Sequence, residues 1–184
     1  SIRGFGARSG FGIRGIQLIV DGLPETTPDG QGQLDNLPLG LIQSLTVLRG
    51  PASSFYGNAS GGVIQINTLE GFEDNFVRFR LQGGSFSSRN LSATVGLKNN
   101  KTKAVFYQNH SESQGYRNHS KYKQQVFNAR VWHDLSESSE IRWQFNYTNS
   151  PYAYDAGGIN LDMVKENAKQ ARPQNETYNT YETI

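Results

Sequence analysis

Cysteine is absent from this 184-residue chain. Without cysteine there is no disulfide framework and no thiolate metal site, which argues against a small disulfide-stapled secreted domain. A charge excess of one sign is also missing, since 18 Lys and Arg stand against 16 Asp and Glu, for a net charge of +2. So small a charge gives no argument for a nucleic-acid partner.

Long hydrophobic runs are missing too. No run of about 18 apolar residues occurs, so the sequence predicts no transmembrane helix. A membrane location stays open, because a β-barrel strand needs only ~9–11 residues, with every second one apolar. No signal-peptide pattern is visible, and the opening Ser-Ile-Arg-Gly is typical of the middle of a domain. We therefore expect the chain to be part of a longer protein.

Glycine and aromatic residues are plentiful, with 20 Gly, nine Tyr and ten Phe, and they favour a β-rich fold. Residues 16–20 read as a buried strand that ends at an Asp21-Gly22 turn. A short helical turn is predicted within residues 34–44. Residues 45–68 then predict a strand, a turn of small residues and a second strand.

From residue 75 onward, apolar and polar residues alternate with a period of two, which predicts antiparallel strands. The stretches concerned are 76–82, 91–97, 104–108, 127–132 and 141–148. Short turns join them at one end and longer loops at the other, a pattern typical of outer-membrane barrels. A soluble antiparallel sheet or sandwich is the alternative. A helix is predicted at residues 162–170, ended by Pro173.

Three motifs occur in order, and together they resemble the plug of a TonB-dependent outer-membrane receptor. They are Ser1-Ile2-Arg3-Gly4-Phe5, Val20-Asp21-Gly22-Leu23-Pro24 and the run from Leu48 to Ile64. The resemblance implies a mostly β chain, with a mixed α+β plug fragment at residues 1–70. Residues 71–184 would then be the first antiparallel strands, with extracellular loops, of a 22-stranded transmembrane β-barrel.

The resemblance also implies a function, which is energy-coupled uptake of a scarce ligand such as a ferric siderophore or ferric citrate. The expected partners are that ligand, outer-membrane lipid and the TonB protein of the inner membrane, whose contact segment lies outside this chain. The implied location is the cell outer membrane. We expect no cofactor and no nucleic acid. A soluble Gly-rich β module that binds a glycan or a protein is the alternative, and an enzyme ranks last.

The resemblance assigns structural roles to residues of these motifs. Arg3 and Arg49 would face glutamates of the barrel wall and lock the plug, because a charge at a low-dielectric boundary needs a partner. Those glutamates would lie on later strands, so we expect neither arginine to find a deeply buried carboxylate within this chain. The remaining motif residues would form turns and tight packing, namely Gly50, Pro51, Tyr56, Gly57, Gly61 and Gly62.

Ligand contacts in such receptors come from plug loops that face outward. The candidates here are Arg8 and Arg14, which would attract an anionic chelate, and Gln31 and Gln33, which would donate hydrogen bonds. The run from residue 29 to 33 is similar to ferric-citrate-type receptors. For each residue an ordinary solvated loop position is the alternative. The three histidines lack metal-ligand spacing and no catalytic group is indicated, so we expect neither a metal site nor an enzyme.

Overall fold

In a computed structural model of the chain, the described residues are 13–27, 31–32, 37–50, 53–56 and 59–176. The chain divides into two compact units, Ser1–Gly71 and Phe72–Ile184. Within the described ranges, no helix combines the length and the apolar character needed to cross a membrane.

The first unit is built on a four-stranded sheet with the strand order β3-β2-β6-β5, beside a separate β1-β4 ladder. A 3-10 turn at Leu39–Leu41 precedes β5, within the stretch where a helical turn is predicted. The elements are β1 (Ile13–Arg14), β2 (Ile16–Val20), β3 (Leu23–Pro24), β4 (Gln31–Gly32), β5 (Ile42–Arg49), α1 (Ser53–Tyr56) and β6 (Gly62–Thr68).

The β2 strand forms the core of this unit, and all five of its residues are buried. It lies between β3 and β6, and it pairs in parallel with β6 from Ile16 opposite Gly62 to Val20 opposite Ile66. A strand that is buried on both faces reads as a nearly continuous apolar run, which only Gln17 interrupts here. The prediction of a buried strand at residues 16–20 is therefore confirmed.

The Asp21-Gly22 turn links β2 to β3 and also ties down the end of β6. Both residues have positive φ, 50° and 82°, as the two central residues of a type I′ hairpin turn require. The Asp21 carboxylate accepts hydrogen bonds from the Thr68 backbone N–H at 2.7 Å and from the Thr68 hydroxyl at 3.0 Å. One residue thus forms the turn and holds the last residue of the neighbouring strand.

The second unit is an antiparallel meander of five strands in sequence order, with β7 and β11 at its edges. Each of the five predicted strands lies within one of them. The elements are β7 (Phe76–Gly84), β8 (Ser88–Lys98), β9 (Thr102–Ser113), β10 (Tyr122–Ser136), β11 (Ser139–Ala153), α2 (Leu161–Asn167) and α3 (Pro173–Glu176). The five strands form an open sheet that does not close into a barrel.

Two sequence predictions in this unit need correction. Helix α2 ends at Asn167, well before Pro173, and Pro173 instead begins α3, where a missing backbone N–H is tolerated. The strand predicted at residues 104–108 is longer, because β9 extends from Thr102 to Ser113 and includes His110. The apolar alternation fades after residue 108, but the hydrogen-bonded ladder continues.

The two faces of this sheet differ from those of a globular domain. The apolar face is partly or fully exposed, and on the edge strand β7 the side chains of Val77, Phe79 and Leu81 have 60%, 72% and 78% of their surface accessible. The opposite face is buried along β8, β9 and β10, and there it combines polar residues such as Ser92, Thr94 and Asn109 with the apolar Val105 and Trp132. Globular sheets place the apolar face inside, because removing apolar surface from water drives folding.

Candidate functional site

The β5–β6 connection carries the most specific motif of the sequence, and the structure closes it with an antiparallel ladder. Arg49, the last residue of β5, lies opposite Gly62, the first residue of β6. Gly50 has a φ of 117° and Gly62 a φ of 136°, conformations that other residues rarely adopt. A Cβ at Gly62 would lie 2.2 Å from the backbone oxygen of Leu48. Position 62 therefore requires glycine for two independent reasons, which are its positive φ and the lack of room for a Cβ.

The other motif residues support this connection where they are described. Gly61 is buried, and its N–H donates to the Gly15 carbonyl at 2.8 Å, which joins the motif to the start of β2. Tyr56 lies on α1 with 38% of its surface exposed. Pro51 and Gly57 lie outside the described residues. The turn is thus fixed to the β2 core through backbone hydrogen bonds.

Arg49 has an exposed side chain at the end of β5. Among the residues that the structure describes, none forms an ion pair with Arg49, and this includes Glu70 and Asp74. Arg3, the second residue of the predicted lock, lies outside the described residues. The lock between Arg49 and a wall glutamate stays a prediction.

The structure brings two of the four predicted ligand residues together. Arg14 on β1 and Gln31 on β4 are direct cross-strand partners in the antiparallel ladder between these strands. Arg8 and Gln33 lie outside the described residues, so their positions stay predictions. The pairing links two segments that are separate in the sequence, one with the candidate ligand residue Arg14 and one with the candidate ligand residue Gln31.

Hydrogen-bonded side chains cover the polar face of the second unit. The Asn109 side-chain amide donates to Asn90 Oδ1 at 2.6 Å, and the Asn128 amide donates to Asn146 Oδ1. Ser88 and Ser113 hydroxyls lie 2.7 Å apart at the loop end of the same face. Such a surface offers amides and hydroxyls to a polar ligand or to a packed domain. Alternating polar residues indicated this face, but the pairings follow from strand register.

A cluster around Arg117 joins two loops, and sequence reasoning missed it. The guanidinium of Arg117, between β9 and β10, donates to the Gln170 carbonyl at 2.8 and 3.0 Å and to the Gly157 carbonyl at 2.6 Å. It also donates to the Ala156 carbonyl at 3.2 Å. All three acceptors belong to the segment that follows β11. No local sequence pattern predicts that Arg117 contacts backbone oxygens some 40 or 50 residues away.

Aromatic rings and cations surround this cluster. The His119 ring stacks on Tyr154 with centroids 4.6 Å apart, and Phe86 meets Tyr116 edge to face at 5.5 Å. The Lys169 ammonium lies 6.0 Å from the centroid of the Tyr116 ring. Residues from the β7–β8 turn, the β9–β10 loop and the segment after β11 thus meet at one end of the sheet.

Comparison with known proteins identifies the first unit. The family model of the TonB-dependent receptor plug domain matches residues 1–63. A vitamin B12 transporter, BtuB, of Vibrio vulnificus (strain CMCP6) is 26% identical over 168 residues, which cover 82% of this chain and 26% of the transporter. A hemin receptor of Yersinia pestis is 36% identical over 62 residues, or 33% of this chain and 9% of the receptor.

The fold is also that of solved receptors. The pyoverdine outer membrane receptor FpvA from Pseudomonas aeruginosa PAO1, bound to pyoverdine, matches with a TM-score of 0.62 at 16% identity. The match covers 78% of this chain and 23% of that receptor. The chain therefore spans about a quarter of the transporter and of the solved receptor.

A plug sequence followed by antiparallel strands with an exposed apolar face defines an outer-membrane protein of the plug-and-barrel class. Residues 1–63 match the plug domain of TonB-dependent receptors, and the chain is similar in sequence and fold to part of transporters and receptors of that class. Family and outer-membrane location were both predicted from the motifs and are confirmed. The relatives are transporters and receptors, not enzymes.

Proposed function

We propose that this chain is part of a receptor that takes up a scarce ligand across the outer membrane, with energy supplied through TonB of the inner membrane. Residues 1–70 are assigned to the plug and residues 71–184 to the start of the barrel. The observation that carries the proposal is a plug sequence followed in the chain by an antiparallel sheet with an exposed apolar face. Lipid would cover its exposed apolar face, and the polar face would line the lumen.

The ligand we propose is an anionic ferric chelate, either a ferric siderophore or ferric citrate. The relatives are named for three different ligands, so the choice rests on this chain's own residues. Arg14 and Gln31 are cross-strand partners, which supports a single site formed by both plug loops. An arginine can bind a carboxylate through two parallel hydrogen bonds, and glutamine amides can donate to the remaining oxygens.

Uptake of labelled ferric citrate and of a labelled ferric siderophore by cells that express the full-length receptor tests this function. We expect uptake of one of them, lost when TonB is deleted. In purified receptor, R8A/R14A should weaken binding of that ligand about tenfold, equivalent to ~1.4 kcal/mol. K101A, in the turn between β8 and β9, serves as the matched control. Unchanged affinity in R8A/R14A would remove both arginines from the site, and uptake without TonB would contradict energy coupling.

The second candidate, a soluble Gly-rich module that binds a glycan or a protein, is not favoured. It would leave a broad apolar surface in water, and large exposed apolar patches promote association. The solubility of the purified full-length protein without detergent distinguishes the two functions. We expect it to need detergent to stay monodisperse, whereas a soluble module would stay monodisperse in buffer.

A further inference from the structure

The exposed apolar face of the second unit carries charge at one end only. In the described strands, this face has no Asp, Glu, Lys or Arg between Leu91 and Leu97 or at the positions paired with them on β7, β9 and β10. At the end with the longer loops, Arg89 pairs with Glu112, and Glu112 pairs with Lys123. These three residues form one row across β8, β9 and β10, which follows Leu91 on β8 and the uncharged polar residues His110 and Gln125 on β9 and β10.

The row has a surplus of positive charge. Arg89 has a side chain that is 76% exposed, and its Nη1 lies 3.9 Å from Glu112 Oε1, so the guanidinium is only loosely held. Tyr152 pairs with Lys123 and extends the row onto β11. The Lys121 ammonium lies 4.5 Å from the centroid of the Tyr152 ring. Arg89, Lys123 and Lys121 thus bring three cations to this end of the face, where Glu112 is the one carboxylate of the row and also lies 3.7 Å from His110 Nε2.

The opposite end of the same face is uncharged. Its residues there are Leu97, Thr102, His133 and Ile141, and the Thr102 hydroxyl lies 2.8 Å from His133 Nδ1. The charged residues of β8 and β9 at that end lie on the polar face, where Lys103 pairs with Lys98 and with Trp132, whereas Lys101 lies in the turn between the two strands. The charge asymmetry is thus a property of the exposed face, not of the whole sheet.

We propose that Arg89, Lys123 and Lys121 bind the phosphate groups of a lipid A headgroup in the outer leaflet. The inference rests on the proposed membrane-spanning function, which makes the exposed face the lipid face. Long basic side chains next to an apolar band keep their stems in the hydrocarbon and place their charge among headgroups. Arginine suits phosphate because its fork donates two hydrogen bonds. The uncharged end would face the inner leaflet, which lacks lipid A.

Native mass spectrometry of the purified full-length receptor tests this site. The receptor is incubated with bisphosphorylated lipid A or with the same lipid stripped of both phosphates. We expect the wild type to retain the phosphorylated form selectively and R89Q/K123Q to retain at least threefold less. E112Q should retain more than the wild type, because it removes the carboxylate. K101Q, a lysine in the turn at the uncharged end, should behave like the wild type.

A charge-conserving pair, R89K/K123R, separates lost charge from lost folding, and it should keep the wild-type selectivity. Equal retention of both lipids by the wild type, or full retention by R89Q/K123Q, would overturn the site. Loss in R89K/K123R as severe as in R89Q/K123Q would overturn it as well. Ferric-ligand binding is measured on the same samples. Failure of the wild type to bind any ferric ligand counts against the uptake function, whereas loss of lipid selectivity counts against this site alone.

Discussion

At the scale of single residues, Gly62 is the position where the plug motif is most constrained. Its φ of 136° and the 2.2 Å separation between an added Cβ and the Leu48 oxygen both exclude a side chain. The neighbouring strands meet here, because Gly62 pairs with Ile16 on one side and with Arg49 on the other. Any shift of this backbone therefore disturbs both ladders.

We expect G62A to destabilise the plug, by about 1–3 kcal/mol from the backbone conformation alone and by more from the clash. Thermal unfolding or limited proteolysis of the first unit in the full-length receptor measures it. G71A is the matched control, since Gly71 has an ordinary φ and nothing within 4 Å of an added Cβ. Equal stability of the two variants would show that the sheet adapts to a side chain at Gly62.

The predicted lock can be tested at Arg49. If its guanidinium faces a wall carboxylate of the complete barrel, R49A leaves that carboxylate unpaired, at about 3–5 kcal/mol for a buried pair. We expect faster proteolysis of the plug and entry of large antibiotics into cells that express R49A. K101A again provides the control. Wild-type proteolysis and exclusion in R49A would assign Arg49 to an ordinary exposed position.

At the scale of elements, Arg117 joins the β9–β10 loop to the segment after β11. The Asn118 N–H also donates to the Lys169 carbonyl at 2.7 Å, and the Tyr154 N–H to the Lys121 carbonyl at 2.9 Å. The buried Ala156 and Ala171 lie in that segment, where the Arg172 N–H donates to the Ala156 carbonyl at 2.8 Å. Two loops that are separate in sequence are thus held by a shared set of backbone hydrogen bonds.

We expect R117A to loosen both loops together, because it leaves three carbonyls without their charged donor, at about 1.5–3 kcal/mol for hydrogen bonds to a charged group. Hydrogen–deuterium exchange of the full-length receptor should accelerate in residues 114–121 and in residues 154–172. R80A removes an exposed arginine of β7 and should leave both segments unchanged. Acceleration confined to residues 114–121 would show that the two loops are independent.

The sequence predicts these strands well and their ends poorly, for a physical reason. Period-two alternation reports which face is apolar, so it ends where the exposed face becomes polar, at Gln108 and His110 on β9. The backbone ladder continues to Ser113, since hydrogen bonding does not depend on the side chain. The Arg117 contacts were not predictable, because they join backbone oxygens distant in sequence. The Arg14–Gln31 pairing likewise depends on register, which composition does not set.

At the scale of the whole molecule, the exposed apolar face of the second unit is the feature that favours a membrane-spanning sheet. Its edge strands, β7 and β11, each have one unpaired side, and lipid offers no hydrogen bonds to an open edge. Further strands of the full receptor would supply those partners. The resemblance to the receptor family and the strand pattern followed from motifs and alternation, whereas the ligand did not, because neither signal identifies the side chains that contact it.

Spin-label accessibility along β7 and β8 in the full-length receptor, in lipid bilayers, determines which face of this sheet contacts lipid. The chain has no cysteine of its own, so single cysteines can be introduced at Phe79, Arg80, Ser92 and Ala93. We predict that labels at Phe79 and Ala93 collide with oxygen dissolved in the lipid, and that labels at Arg80 and Ser92 do not. Water-soluble nickel reagent reaching positions 79 and 93 as readily as positions 80 and 92 would contradict a membrane-spanning sheet.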